Sequence, residues 1–276
     1  VNVTWRSDEE PAAKPIRFAG WLRVVIRTLI IACIMLTGLV IFLPLRLVEW
    51  AVHGLSRPWS PWIVHIFSRL VFLTLGLRHR AEGPRLVGPG VIVTNHASWL
   101  DILVLNAVTP VTFVSKAEVA RWPGIGFLAR IAGTIFITRD ARHAGQHRDL
   151  LECYLRAGHR LAFFPEGTST DGIRVLPFKS TLFAALFMPD LPALSVQPAT
   201  ILYRAPEGED GRFYGWWGDM DFGVHALKLL AQRLQGEVRV ILHPPVKVAD
   251  FADRKALAAA SGGAVRQGME TALEDR

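Results

Sequence analysis

The chain has 276 residues, of which 51% are hydrophobic and 20% charged, and its mean hydropathy is +0.28. That composition excludes a disordered chain and is unusually apolar for a soluble one, while the length allows one large domain or two small ones. The formal net charge of +7 favours anionic partners: phospholipid headgroups, nucleic acid or an acidic protein. Cys33 and Cys153 are the only cysteines, and Cys33 lies inside an apolar run. A disulfide between them is not expected, and no cysteine-based metal site can be assembled.

Residues 1–20 are polar and carry Asp8, Glu9, Glu10, Pro11 and Pro15, which reads as a flexible lead. No charge appears from Thr28 to Leu45. Those 18 positions would reach about 27 Å as a helix, just short of the roughly 30 Å hydrocarbon core of a bilayer. A cleaved signal peptide is disfavoured, because Leu45-Arg46-Leu47-Val48-Glu49-Trp50 stands where small residues should follow. Pro58, Ser60 and Pro61 then break the chain. From Pro61 to Leu77, Ile63, Ile66, Phe67, Leu70, Val71 and Leu73 recur at helical spacing. His65, Ser68 and Arg69 make a second full span costly. Trp50, Trp59 and Trp62 cluster around the break, where an aromatic belt would meet the water–lipid boundary. Residues 21–77 therefore read as a membrane-anchoring helical hairpin dipped into one leaflet. A single signal anchor with the rest outside the cell is the alternative. Arg6, Lys14, Arg17, Arg23 and Arg27 precede the apolar run, so that end should stay cytoplasmic, and a hairpin would return the following domain to the same side.

From residue 78 onward short β-branched runs alternate with helical stretches. Strands are expected at Val91–Thr94, Val111–Val114, Thr134–Thr138, Leu161–Phe164, Ser195–Thr200 and Val238–Leu242. Helices are expected at Trp99–Ala107, Ala141–Ala157, Lys179–Phe187, Gly223–Leu234 and near Ala264–Glu274. This alternation predicts a layered α/β domain over residues 78–276. No glycine-rich dinucleotide fingerprint, P-loop or GxSxG elbow is present, which removes the commonest dehydrogenase, nucleotide-hydrolase and esterase readings.

Two segments carry the chemistry, each directly after an expected strand. In Asn95-His96-Ala97-Ser98-Trp99-Leu100-Asp101 the spacing is expected to bring His96 and Asp101 together on the first turn of the next helix. The carboxylate can then fix the imidazole tautomer and leave the second nitrogen as a base. A helix-cap histidine beside a solvated Asp101 explains the same residues. Ser98 suggests a Ser-His-Asp hydrolase, but a serine two positions from its base seldom reaches the required geometry. Phe163-Phe164-Pro165-Glu166-Gly167-Thr168-Ser169-Thr170 suggests a rigid turn whose backbone N–H groups and Glu166 could hold a hydroxyl or an oxyanion; an ordinary turn would look alike.

Taken together, these segments resemble the glycerolipid acyltransferase superfamily, which includes the lysophosphatidic acid acyltransferases. That superfamily is marked by NHxxxxD, an Arg-containing strand motif, FPEGT and a later proline motif in this order. Here they fall at Asn95–Asp101, Gly133–Arg139, Phe164–Thr168 and Val196-Gln197-Pro198. Ser115-Lys116-Ala117-Glu118 and Pro123-Gly124-Ile125-Gly126 also match, and the resemblance covers about residues 80–245. It implies that His96 deprotonates a lysolipid hydroxyl that attacks an acyl thioester directly, and that Asp101 orients His96. Asn95, Ser98, Lys116, Arg139, Glu166, Gly167, Thr168 and Ser169 would bind substrate, with Arg139 on the acceptor's polar head or the donor's phosphate. No metal and no bound cofactor is implied. The implied partners are acyl carrier protein or coenzyme A as donor, a lysolipid acceptor and membrane lipid, at the cytoplasmic membrane with the site facing the cytoplasm.

One departure bears on the acceptor. Phosphate-acceptor members usually read FPEGTRS, and Ser169 stands here in place of that Arg, with Asp171 close by. The loss of a cation disfavours a phosphate dianion and suits an amino-bearing acceptor. Arg174–Ser180 and Arg212–Phe222 resemble the lyso-ornithine lipid O-acyltransferase branch; some lysophosphatidylcholine acyltransferases also lack the Arg. Lysophosphatidate is the alternative acceptor. His143 and His147 have metal-ligand spacing but read as a solvated face beside Arg142 and Arg148. Phe213–Trp217 reads equally as a lid, a membrane-resting loop or core. A nucleic-acid-binding protein is suggested only by charge, without a compact basic cluster or stacking motif.

Overall fold

The charge-free run and both its flanks form one helix, α1 (Phe18–His53), twice as long as the apolar stretch suggests and passing through Pro44. Arg23 and Arg27 do not end it, because arginine is a good helix former. Gly54, with φ 60°, does. After a short turn α2 (Ser60–Leu75) begins with Pro61 in its first turn and stops at Gly76 in the left-handed region. The two helices pack on each other. The computed structural model describes residues 4–7, 11, 14–122, 125–138, 141–188, 191 and 193–274.

The rest of the chain runs β1 (Arg78–Glu82), β2 (Gly90–Thr94), α3 (Leu100–Val108), β3 (Thr112–Lys116), α4 (Ile125–Ala132), β4 (Ile135–Ile137), α5 (Ala144–Arg156), β5 (Arg160–Phe163), β6 (Ser195–Arg204), α6 (Phe222–Ala231), β7 (Glu237–Leu242), β8 (Val246–Lys247) and α7 (Arg254–Glu274). The strands join in one sheet ordered β1-β7-β6-β2-β5-β3-β4, with β8 beside β6. β6 is antiparallel to β7 and β8, and every other pairing is parallel. Two apolar layers follow from side-chain alternation along the strands. Ile92 of β2 faces α2, α3 and α6 with Val71, Phe72, Leu105 and Leu229. Val91 and Val93 face α5 and α7 with Leu151, Leu155, Leu257 and Ala258. Helices on both faces of a mostly parallel sheet give the expected layered α/β architecture.

Several boundaries differ from the sequence reading, each for a physical reason. β1 was not expected, since Arg78-His79-Arg80-Ala81-Glu82 has no apolar alternation; it is a largely exposed edge strand held by its register on β7. α4 was not among the expected helices, since Gly126 and its short length of eight residues weaken its periodic signal. The stretch expected as a helix at Lys179–Phe187 holds only a 3-10 segment, Leu182–Leu186. α7 starts ten residues earlier than expected, because Gly262 and Gly263 hide its periodicity. Gly262 packs closely there: a Cβ would lie 3.2 Å from the Phe178 side chain.

Both ends of α1 are fastened to the globular part. At its start Arg23 Nε donates to the Ala231 carbonyl at 2.8 Å, and Arg27 donates to Leu230 and Gln232 at 2.9 and 2.6 Å. Cations are favoured there, because the last carbonyls of α6 have no partner within the helix. At its end Glu49 is fully buried. Its carboxylate accepts from the backbone N–H of Trp59 (2.7 Å) and Ser60 (3.0 Å) and from Ser60 Oγ (2.6 Å). Arg57 reaches the Ala132 carbonyl and His159 Nε2 the Leu55 carbonyl. The lead is tethered as well. Arg6 pairs with Asp219 and Lys14 with Glu209, both at 2.8 Å. Where the sequence suggests a flexible segment, Trp5, Arg6 and Lys14 are therefore in contact with the domain, and four of the five cations read as orientation signals are engaged with it.

Glu49→Ala should strand three donors at the turn between α1 and α2. A loss of about 3 kcal/mol or more is expected for unpairing a buried charged group, read as a lower melting temperature in detergent and as new protease cleavage within residues 54–59.

Candidate active site

Two motifs seventy positions apart meet because β2 and β5 are parallel neighbours in register. Val93 pairs with Phe163, so the residues three beyond each, His96 and Glu166, emerge side by side at the carboxyl end of the sheet, where open α/β sheets place ligands. The link is direct: His96 N–H donates to Glu166 Oε2 at 2.8 Å.

His96 lies on the irregular segment between β2 and α3, not on the helix itself as the spacing suggested; Asp101 occupies the first turn of α3. Its Oδ2 accepts from His96 Nδ1 (2.8 Å), Ala97 N (2.7 Å) and Ser98 N (2.9 Å), and its Oδ1 accepts from Tyr203 Oη (2.7 Å). Asp101 is wholly buried, while the His96 side chain keeps 20% of its surface exposed. The pairing assigns the proton to Nδ1 and leaves Nε2 as the accessible nitrogen. Phe164 stacks on the imidazole at 4.0 Å between centroids and fixes the ring plane. Burial, and then the charge of Asp101, hold the Tyr203 phenol far above its ordinary pKa, so it stays a donor.

Glu166 is buried, and its second oxygen accepts from Leu176 N at 2.8 Å. Burial pushes its pKa up to about 8 against the pull of the two backbone donors, with Asp101 and Asp171 adding to the rise. The side chain expected to hold the acceptor thus braces the His96 segment from within. Asn95 is fully buried and bridges both backbone groups of Ile201 on β6 (2.8 and 2.9 Å). Ser98 is fully buried with its Oγ turned to Leu100 N, so both shape the segment from inside. This geometry gives Ser98 no part in a hydrolase triad.

Gly167 has φ 71°, a left-handed conformation that favours glycine. Its carbonyl accepts from Lys116 Nζ at the end of β3 (2.5 Å). Thr168 and Ser169 are half-buried beside it. Asp171 is not a free charge: it is buried and pairs with Arg174 at 2.8 Å. Arg139 lies outside the described residues. The Phe213–Trp217 stretch is largely core, with Phe213, Tyr214 and Trp217 buried, and Trp216 N–H donates to the Ala97 carbonyl at 2.8 Å. His143 and His147 stand 6.2 Å apart, and among the described residues no group of three possible ligands is arranged to hold a metal.

Tyr203 was missed by the sequence reading, which ended its strand at Thr200. The signal was present in the alternation: Ala199, Ile201 and Tyr203 share one face of β6.

A sheet of this topology, with a histidine–aspartate pair at a strand end braced by a glutamate from the next strand, is that of an acyltransferase domain. The acyltransferase family model matches residues 78–201, and the chain belongs to this family. It is 50% identical over 266 residues to the lyso-ornithine lipid O-acyltransferase of Rhodobacter capsulatus, covering 96% of each chain. It is 36% identical to that of Brucella abortus, over 80% of this chain and 87% of the other. Among solved structures, the 1-acyl-sn-glycerophosphate acyltransferase of Thermotoga maritima matches with a TM-score of 0.62, over 93% of this chain and 98% of its own, at 21% identity. That likeness speaks for the fold.

Glu166→Ala leaves the N–H groups of His96 and Leu176 without acceptors. It should cost about 1–3 kcal/mol for each stranded donor, measured by denaturant unfolding in detergent, with acyl transfer falling in parallel as the His96 segment loosens.

Proposed function

We propose that this acyltransferase moves a fatty acyl group from a thioester donor to the hydroxyl of a lyso-aminolipid such as lyso-ornithine lipid. The observation that carries the reading is the 2.8 Å pair of His96 Nδ1 and buried Asp101, which leaves Nε2 as base. His96 Nε2 takes the proton of the acceptor hydroxyl as its oxygen attacks the thioester carbonyl, and Asp101 steadies the imidazolium that forms. Collapse of the tetrahedral intermediate makes the ester and expels the donor thiolate, which receives the proton and leaves as free thiol. Gathering two amphiphiles on one surface supplies the proximity. The donor is acyl carrier protein or coenzyme A; Lys116 and Arg139 are the cations proposed to meet its phosphate or the acceptor's head.

The acceptor assignment is supported by Ser169, which removes the usual cation after FPEGT, and by the names of the two relatives above. Since Asp171 is neutralised by Arg174, the selectivity rests on the missing arginine and not on an added negative charge. Lysophosphatidate, the substrate type named for the Thermotoga maritima structure, is the second reading.

The membrane reading is a hairpin lying in one leaflet of the cytoplasmic membrane, with the site facing the cytoplasm. α1 is apolar and little buried: Leu29, Val40, Leu47 and Trp50 are each more than half exposed. At 36 residues it is about 54 Å long. A helix tied at both ends to one globular body cannot take that body across a bilayer, which favours an in-plane position over a single span.

His96→Ala should lower kcat by about 10²–10⁴-fold with folding and membrane association retained, and Asp101→Asn should fall less far. Turnover within about threefold of wild type for His96→Ala, on the scale of that general-base effect, would sink the mechanism. Ser169→Arg should move the ratio of kcat/KM toward lysophosphatidate by about tenfold to a hundredfold, the worth of a charge-assisted hydrogen bond. A paired acceptor assay with products identified by mass reads both. An unchanged ratio, with wild type already favouring lysophosphatidate, overturns the acceptor but leaves acyl transfer standing. For the hairpin, Ser7→Cys and Glu270→Cys should be labelled from the same side of sealed vesicles; labelling from opposite sides would favour a single span.

A further inference from the structure

The described N-terminal residues cross the mouth of the site. Trp5 N–H donates to Thr168 Oγ1 at 3.2 Å, its ring meets the Trp217 ring edge-on at 5.8 Å, and the Arg174 guanidinium lies 5.1 Å from its centroid. These partners belong to the two segments that flank the His96 segment. On one side Thr170 donates to the His96 carbonyl from both its N–H (2.9 Å) and its Oγ1 (3.2 Å). On the other, Trp216 donates to the Ala97 carbonyl at 2.8 Å. Trp5 therefore spans from one wall of the site to the other, one residue from Ser169. Arg6 latches the segment to Asp219. The ground beneath it carries an unanswered donor, because the buried Trp217 Nε1–H has no acceptor.

We infer that Trp5 is an acceptor-binding residue: residues 4–7 form a strap whose indole makes the outer wall of the lysolipid headgroup site and sets acceptor affinity. This rests on the acyl-transfer reading above and extends it to a residue more than 150 positions upstream of the FPEGT loop. The Arg6–Asp219 pair is exposed on both sides and holds the strap weakly, so the strap can lift to admit an amphiphile and settle over its polar end. Arg174 is held between Asp171 and the Trp5 ring, so its charge is already paired within the protein.

The test is steady-state acyl transfer by the full chain in mixed micelles, with lyso-ornithine lipid and lysophosphatidate titrated separately at saturating acyl donor, and the donor titrated at fixed acceptor. Trp5→Ala should raise the KM for lyso-ornithine lipid by about tenfold, the scale of losing one aromatic contact, with kcat and donor KM little changed. Trp5→Phe keeps a ring against Trp217 and Arg174 and should restore most of the affinity. Arg6→Ala should fall between them. A Trp5→Ala protein whose acceptor KM equals that of wild type, or whose donor KM rises instead, overturns the strap and leaves the acyl-transfer reading intact. A wild-type protein that gives no acylated product with either lysolipid takes both readings down.

Discussion

A carboxylate with no access to water must be surrounded by donors, and Asp101 gathers four of them. Two are backbone N–H groups of the segment leaving β2, one is the His96 ring and one is the Tyr203 phenol on β6. Each donor fixes a different piece of the fold. The backbone pair sets the conformation that carries the chain from strand to helix, and the ring bond chooses the imidazole tautomer. The phenol ties the cluster to a strand a hundred residues away. Loss of the carboxylate would leave all four unsatisfied in a dry environment, which is why the site and the local fold stand or fall together.

The same economy of burial explains why several motif residues face inward. Asn95 imitates a strand by exchanging two hydrogen bonds with Ile201, and Glu166 takes the N–H groups of His96 and Leu176. Both are buried, and these hydrogen bonds go to the backbone of the site. Their work is to hold His96 rigidly at the end of β2, with its Nε2 open and its ring flat against Phe164. His96 itself and the half-buried Gly167-Thr168-Ser169 turn keep part of their surface open.

The N-terminal region is bound to the catalytic domain by polar contacts and not only by its apolar surface. Arg23 and Arg27 cap α6, Glu49 and Arg57 pin the turn between α1 and α2, and Trp5 reaches the FPEGT loop. The exposed apolar face of α1 is thereby held in a fixed relation to the mouth of the site. An apolar helix fixed to the catalytic domain suits an acyltransferase of lysolipids, since amphiphilic substrates gather on apolar surface.

Sequence alone determined the elements whose signal is local. The charge-free run of the long N-terminal helix, the helical spacing of the second, the β-branched runs of the central strands, and the His96–Asp101 and Phe164–Thr168 segments all rest on neighbours a few residues apart, and the family follows from the order of those motifs. The tertiary structure decided what depends on partners far away in the chain. The polar edge strand Arg78–Glu82 exists through its register on β7, and the C-terminal helix is completed through Gly262 packing against Phe178. Tyr203 becomes a partner of Asp101 through the antiparallel extension of β6, and the parallel register of β2 and β5 lets Glu166 brace the His96 segment. Asp171 is neutralised by Arg174, and the polar lead is drawn across the site by Trp5. Each of these outcomes is a long-range pairing of charge, hydrogen bond or shape, and a one-dimensional pattern carries no record of which distant residue will satisfy a buried group.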